Sequence, residues 1–228
     1  MELIQHSESI WTYEFQQKIA FLPGIYFPTR STIIRLKSQD LAIISPGPFD
    51  IETADRIRNL GSVKHLIAPN KFHHLYLHHA AKTFPNAKVY GPRGLSSKNK
   101  SLLNILSPLE TTHQNISEEL EWYSILGNSY LDEWVVIHRC TKTLIVTDLL
   151  FNMGKQNSLL TTCLLKAVGC YCRIGQSKIW RMTTRDKVAY KKSLLHLTEK
   201  EWTSVIMAHG EITKDAEAAR QCMQKLAQ

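Results

Sequence analysis

The sequence predicts an α/β protein with a partly parallel sheet. Three observations lead there. Short apolar runs of strand length recur along the chain, several are separated by segments whose apolar residues fall at helical spacing, and Pro, Gly and Asn mark the junctions. Strands separated by helices need crossover connections, and crossovers join parallel strands.

The elements follow in order. Ile10–Phe15 alternates and reads as a strand, and Pro23-Gly24 is a turn signal. Ser31–Leu36 and Leu41–Ile44 are apolar runs joined by the polar Lys37–Asp40, a β-hairpin, which ends at the rigid break Ser45-Pro46-Gly47-Pro48. Ile51, Ala54, Ile57 and Leu60 predict a helix from about Asp50 to Leu60, stopped by Gly61. Val63–Ala68 is the next strand. After Pro69-Asn70 a helix carrying His73 and His74 is expected to run to about Phe84, where Pro85-Asn86 stops it, and Ala87–Tyr90 is a short strand. Ser96–His113 reads as a loop with a short helix around Leu102–Leu106. Leu120–Leu126 is a strand. Glu133–His138 and Thr143–Val146 form a second hairpin that ends in Thr147-Asp148. Helices are expected over Leu159–Val168, ending at Gly169, and over Thr183–Leu197, with Val188, Leu194, Leu195 and Leu197 inward. Trp202–Ala208 is the last strand and runs into His209-Gly210. Thr213 is the expected cap of a final helix to about Leu226. No solenoid repeat is visible.

Composition narrows the class. A chain of 228 residues suits one domain. No apolar run reaches the roughly 18 residues that cross a bilayer; the longest candidate, Ser158–Gly169, contains Thr161, Thr162 and Lys166. The N-terminus has Glu2 and no apolar core, so it is not read as a secretory signal. A soluble protein of the cytoplasm without a membrane partner is expected. Five cysteines are an odd number, and Cys163, Cys170 and Cys172 lack paired C-x-x-C spacing. They read as small buried residues rather than as disulfides or a thiolate zinc site. The formal charge of +8 invites a nucleic-acid or acidic-membrane partner. The basic residues are spread out, however. The denser spots, Lys98/Lys100 and Arg181–Lys192, lack interleaved aromatic platforms, so a solvated basic face is the reading and nucleic acid is not the expected partner.

Three strand ends carry ligand-type side chains. His73 and His74 follow Val63–Ala68, Asp148 follows Thr143–Val146, and His209 follows Trp202–Ala208. Imidazoles and a carboxylate suit a first-row transition metal, and strand ends are where α/β proteins place their chemistry. The plainer alternatives are surface histidines for the pair, and a turn residue or helix cap for Asp148. His74 and His78 are four apart, but H-L-Y-L-H lacks the Glu of H-E-x-x-H, so that pair reads as surface or packing.

On these residues the chain resembles the metallo-β-lactamase fold superfamily, whose central motif is a strand ending in H-x-H-x-D-H. Ile67–His74 lies across it, with Pro69 and Lys71 at the first two histidine positions, His73 at the Asp position and His74 at the last histidine. Asp148 in TLIVTDLLF resembles the bridging Asp, and His209 in VIMAHGEI resembles the final histidine. The middle histidine has no clear counterpart; Glu133 and His138 stand nearest in order. Ser45-Pro46-Gly47 matches the early D-x-G turn without its acid. The resemblance covers nearly the whole chain and is to an uncharacterised branch, of the domain-of-unknown-function kind. It implies a four-layer αββα sandwich as a single domain over 1–228, and it does not imply β-lactam hydrolysis. It implies one divalent ion, zinc or iron, on His73, His74, Asp148 and His209, with Asp148 as the catalytic residue. Pro69 cannot ligate and Lys71 would repel a cation, so the other metal position is lost. The implied function is hydrolase-like action on a small molecule, with Lys71 available to an anionic group. The alternative is an inactive protein that keeps the fold and works by binding. Oligomeric state is open.

Overall fold

The computed structural model describes residues 1–18, 26–155 and 158–228, so the turn expected at Pro23-Gly24 lies outside the described residues. The chain divides into two compact units. One comprises Met1–Phe15 and Arg30–Leu120, the other Gln16–Thr29 and Glu121–Gln228.

The first unit is built on a seven-stranded sheet whose strands lie in chain order. They are β1 (Ile4–Gln5), β2 (Ile10–Lys18), β3 (Tyr26–Arg35), β4 (Asp40–Ile44), β5 (Ser62–Ile67), β6 (Lys88–Gly91) and β7 (Leu106–Pro108). The expected hairpin is β3–β4, antiparallel, and β4 to β7 pair in parallel. The crossovers are α1 (Ile51–Leu60) and α2 (Leu77–Thr83), then the short α3 (Leu95–Lys98); α4 (Leu109–Thr112) follows β7. Asp50 caps α1 by accepting from Thr53 N at 2.8 Å. Ala54 and Ile57 turn into a core shared with Ile33, Leu41, Ile43 and Leu66, while Ile51 is exposed.

Two expectations for this unit are corrected. The segment around Leu102–Leu106 holds a strand, β7, that Leu106-Ser107-Pro108 is too short and too polar to announce. The helix after β5 starts only at Leu77, which leaves His73 and His74 in the preceding turn. Asn70 is the cause: its Oδ1 accepts from both Phe72 N and His73 N at 2.8 Å, a local turn that competes with helix.

The second unit holds a four-stranded sheet in the order β13-β10-β9-β8. Its strands are β8 (Leu120–Ser124), β9 (Trp134–His138), β10 (Thr143–Val146) and β13 (Ser204–Met207). A two-stranded antiparallel pair, β11 (Phe151–Met153) and β12 (Arg173–Gly175), flanks α5 (Leu159–Val168). Then come α6 (Lys178–Thr183), α7 (Lys187–Thr198) and α8 (Ala216–Ala227). The expected helix over Thr183–Leu197 is thus two helices. Arg185 N and Asp186 N both donate to Gly127 O at the break, and Asp186 caps α7 from Ala189 N at 2.9 Å. The buried stripe of α7 is Tyr190, Leu194 and Leu197, at helical spacing, which turns Val188 and Leu195 outward against expectation. Asp215, not Thr213, caps α8; Thr213 Oγ1 instead accepts from Asp215 N at 2.9 Å.

Among the described residues no cysteine is in a disulfide, and only Cys170 of the cluster is buried, where Cys163 and Cys172 were also expected. Burial pushes the Cys170 thiol up to about 12. A thiolate-selective alkylating reagent at pH 8 should therefore label the exposed Cys140, Cys163 and Cys172 and spare Cys170 until the chain is unfolded. Peptide mapping reads the difference; labelling of Cys170 at the rate of Cys163 would refute the burial. Among the described residues no helix is long and apolar enough to cross a membrane.

Candidate metal centre

Sheet register positions Asp148. Strands β10 and β13 run parallel with Val146 opposite Met207, so Asp148 and His209 each stand two residues beyond the same paired edge. Their side chains meet: His209 Nε2 lies 3.5 Å from Asp148 Oδ1, and both residues are largely shielded from solvent. Strand β9 is antiparallel to β10, so the start of β9 lies beside the end of β10. That brings Glu133 under the Asp148 loop. Its fully buried carboxyl accepts from Thr147 N at 3.0 Å, Asp148 N at 2.9 Å and Leu149 N at 3.1 Å. His138 is at the other end of β9, roughly 16 Å away at strand rise, and its Nδ1 bonds Thr141 Oγ1 at 2.8 Å. Glu133 is therefore a positioning residue of this loop, and His138 has no part in it.

His209 is held on all sides. Its ring stacks on Phe151, with centroids 5.0 Å apart, and meets Phe27 edge-on at 4.9 Å. Its Nδ1 is 3.0 Å from Pro28 O. A carbonyl oxygen only accepts, so Nδ1 carries the hydrogen and, in the neutral ring, the lone pair is on Nε2. Gly210 makes the turn possible: its φ is +95°, and a Cβ there would sit 2.1 Å from Asn152 O.

In the first unit, the parallel β4 and β5 end on one edge, with Ile44 opposite Ile67. Ser45, in the left-handed region at φ 54°, follows β4, and the histidine turn follows β5. Ser45 Oγ and His73 Nδ1 meet at 2.6 Å. The turn after Ser45 is tied by Tyr13 and Ser31: Gly47 N donates to Tyr13 Oη at 2.9 Å and to Ser31 Oγ at 2.8 Å. Burial, outweighing its hydrogen bonds with Ser31 and Gly47, pushes the Tyr13 phenol up to about 12.

His74 is buried and faces differently. Asn99 Nδ2 lies 3.3 Å from its Nδ1. The amide is oriented by Ser101 N, which donates to Asn99 Oδ1 at 3.1 Å. Asn99 thus donates to Nδ1, and the neutral ring carries its hydrogen on Nε2. Burial first, then the nearby Lys98 charge, hold His74 down to about 4, so it is neutral at ordinary pH. Lys71 lies over Gly94, where an added Cβ would be 2.7 Å from its Nζ. His79 Nε2 is 3.3 Å from Phe49 O, and His78 Nδ1 is buried with no hydrogen-bond partner among the described residues.

Asp148 and His209 are thus brought together within one unit, and His73 and His74 are neighbours whose rings turn to different partners. Sequence reasoning missed Ser45, Asn99 and Pro28 as partners of the histidines. The Asn99 and Pro28 contacts join residues far apart in the chain, and only the Ser45 turn carried a motif signal. Glu133 did carry one, as an acid opening an otherwise apolar strand.

A family model described as a domain of unknown function, DUF4336, matches residues 7–167. Solved structures show that the fold is that of the metallo-β-lactamases. The enzyme from Hirschia baltica superposes with a TM-score of 0.61 at 12% identity, over 99% of this chain and 95% of that one. FIM-1 from Pseudomonas aeruginosa, in its mono-zinc form, gives 0.63 at 14% identity, over 99% and 94%. The Pontibacter korlensis enzyme gives 0.60 at 14%, over 99% and 98%. At such identities the likeness shows the fold alone. A yeast F-box protein, YLR352W of Saccharomyces cerevisiae, is 27% identical over 77 residues, which are 32% of this chain and 10% of the yeast protein. The chain therefore spans about a tenth of the length of that relative.

Proposed function

The chain belongs to the DUF4336 family, a domain of unknown function, and from its fold and side-chain chemistry we propose that it is a single-metal protein with hydrolase-like activity on a small substrate. The proposed ligands, from the strand-end residues that carry the sequence resemblance, are His73, Asp148 and His209, the last through Nε2, taking one divalent ion, zinc or iron. The observation that carries this reading is the tautomer of His209. Pro28 O holds its Nδ1–H, so the Nε2 lone pair faces a carboxylate oxygen at 3.5 Å. Two electron-rich atoms so placed repel unless a proton or a metal ion lies between them, and a backbone carbonyl behind the far nitrogen is the usual support of a ligating histidine. The same support is available to His73 from Ser45.

His74 fits the donor set less well. With Nδ1 accepting from Asn99 and the hydrogen on Nε2, neither nitrogen offers a lone pair. We therefore place it beside the ion, as a neutral support of the turn, rather than on it.

A bound ion with an open position would lower the pKa of a coordinated water to about 7 and supply a nucleophile. The chain's own residues have separate tasks. Glu133 fixes the Asp148 loop, Phe27 and Phe151 hold the His209 ring and shield it from water, and Lys71 offers a cation to an anionic substrate group. The binding-protein reading draws on Pro69 and Lys71, which replace ligands at the other metal position.

Calorimetric titration of metal-free protein with zinc or ferrous iron tests the assignment. One site per chain is expected. Affinity should fall well over about a hundredfold in His73→Ala and only about 10–100-fold in His74→Ala, the range for a supporting residue. Equal losses in the two variants would put His74 back among the ligands. Turnover of small ester, thioester or phosphodiester substrates that vanishes in Asp148→Ala separates the enzyme from the binding protein.

A further inference from the structure

The positive charge of the chain is confined. The whole sequence has 28 Lys and Arg against 20 Asp and Glu, a formal charge of +8. Residues 149–192 hold nine of those basic residues and one acid, Asp186, so this segment alone carries +8. Everything outside it balances, 19 against 19. Basic residues are spread along the chain; what singles out this segment is that its acids are missing.

The same segment exposes aliphatic side chains that a packed helix would bury. Leu159 and Leu160 on α5 are 77% and 59% exposed, and Ile179 and Met182 on α6 are 52% and 83% exposed. Both helices are anchored from beneath, α5 by Thr161 and Leu165 and α6 by the fully buried Trp180. Their apolar outer sides are therefore additional to the faces that hold them to the unit. The two helices meet where α5 ends: Arg173 donates to Gly169 O through Nε and Nη2 at 2.9 and 2.8 Å, and Lys178, the first residue of α6, lies 3.7 Å from the position of a Gly169 Cβ.

We propose that the α5–α6 face docks on an anionic phospholipid surface, with Leu159, Leu160, Ile179 and Met182 entering the headgroup layer and Lys166, Lys178 and Arg181 meeting the lipid phosphates and carboxylates. Aliphatic side chains beside basic charge that few acids offset are what an anionic interface rewards. A nucleic acid would be met by aromatic platforms, and the exposed apolar residues here are aliphatic. Absence of a spanning helix bears on crossing a bilayer and not on lying against one. The proposal is independent of the metal centre.

Co-sedimentation of the full chain with vesicles tests it, using phosphatidylcholine mixed with phosphatidylserine and phosphatidylcholine alone. Binding is expected to the mixed vesicles, to weaken with salt, and to be unchanged in Asp148→Ala. Each basic residue contributes about fivefold to partitioning, so Lys178→Glu with Arg181→Glu should lower it more than tenfold, and Leu160→Asp with Met182→Asp should lower it comparably. Lys88→Glu, in the neutral remainder, should leave it unchanged. The patch side chains and Lys88 are exposed, and circular dichroism verifies the fold of each variant. The proposal is overturned by no binding to mixed vesicles at low salt, by equal binding to neutral ones, by patch variants that bind like the parent, or by capture of an oligonucleotide in place of vesicles.

Discussion

Glu133→Ala should lower the unfolding free energy by about 3–5 kcal/mol, from two buried N–H groups and one partly buried that each lose an acceptor at roughly 1–3 kcal/mol, partly recovered by relaxation. Glu133 is fully buried and takes hydrogen bonds from three successive backbone amides, Thr147, Asp148 and Leu149, just past the end of β10. For a chain of this length the loss corresponds to a fall of about 10 °C in melting temperature. Glu133→Gln sharpens the test. Its oxygen can keep the Thr147 and Leu149 bonds made by Oε1, but the amide nitrogen then confronts Asp148 N, itself a donor. That variant should lose only about 1–3 kcal/mol and yet misplace Asp148, so metal affinity should suffer more than stability. Denaturant unfolding of the alanine variant within about 0.5 kcal/mol of the parent would show that the carboxyl supports nothing.

The second large effect concerns ligand-linked stability. At a zinc concentration a hundred times the dissociation constant, binding to the folded state alone adds about 2.7 kcal/mol. The parent protein should therefore melt several degrees higher with zinc than without it. His209→Ala should abolish that rise and lower affinity at least about a hundredfold, because it removes the nitrogen whose lone pair Pro28 O selects. Asp148→Asn should abolish the rise as well, but without destabilising the metal-free protein, since it removes the charged partner that faces the His209 lone pair at 3.5 Å. A zinc-induced rise that persists in both variants would place the ion elsewhere.

Much of the fold was legible because its strands are nearly uninterrupted apolar runs between Pro and Gly breaks. The runs that end in Asp148 and His209 marked β10 and β13, whose parallel pairing the structure adds, and the hairpins β3–β4 and β9–β10 follow from their short polar connections. Elements with few residues were not legible: β7, β11 and β12 each have three, too few for any period to register. The helix expected to carry His73 failed for a local reason, since Asn70 ties the backbone of Phe72 and His73 into a turn that apolar spacing does not reveal. Val188 and Leu195 were read as inward from their residue types, although the buried stripe is fixed by Tyr190, Leu194 and Leu197. At the site, the ligand types were visible as strand-end residues. The tautomers that separate His209 from His74 were not, because they depend on Pro28 and Asn99, far away in the sequence.

Anomalous scattering at the zinc and iron edges, from crystals of untagged protein prepared without chelator, tests the single-metal centre most directly. One peak near full occupancy is expected, with His73, Asp148 and His209 as its protein ligands. A map with no peak, or with its peak on other residues and those three side chains outside coordinating distance, would contradict the assignment.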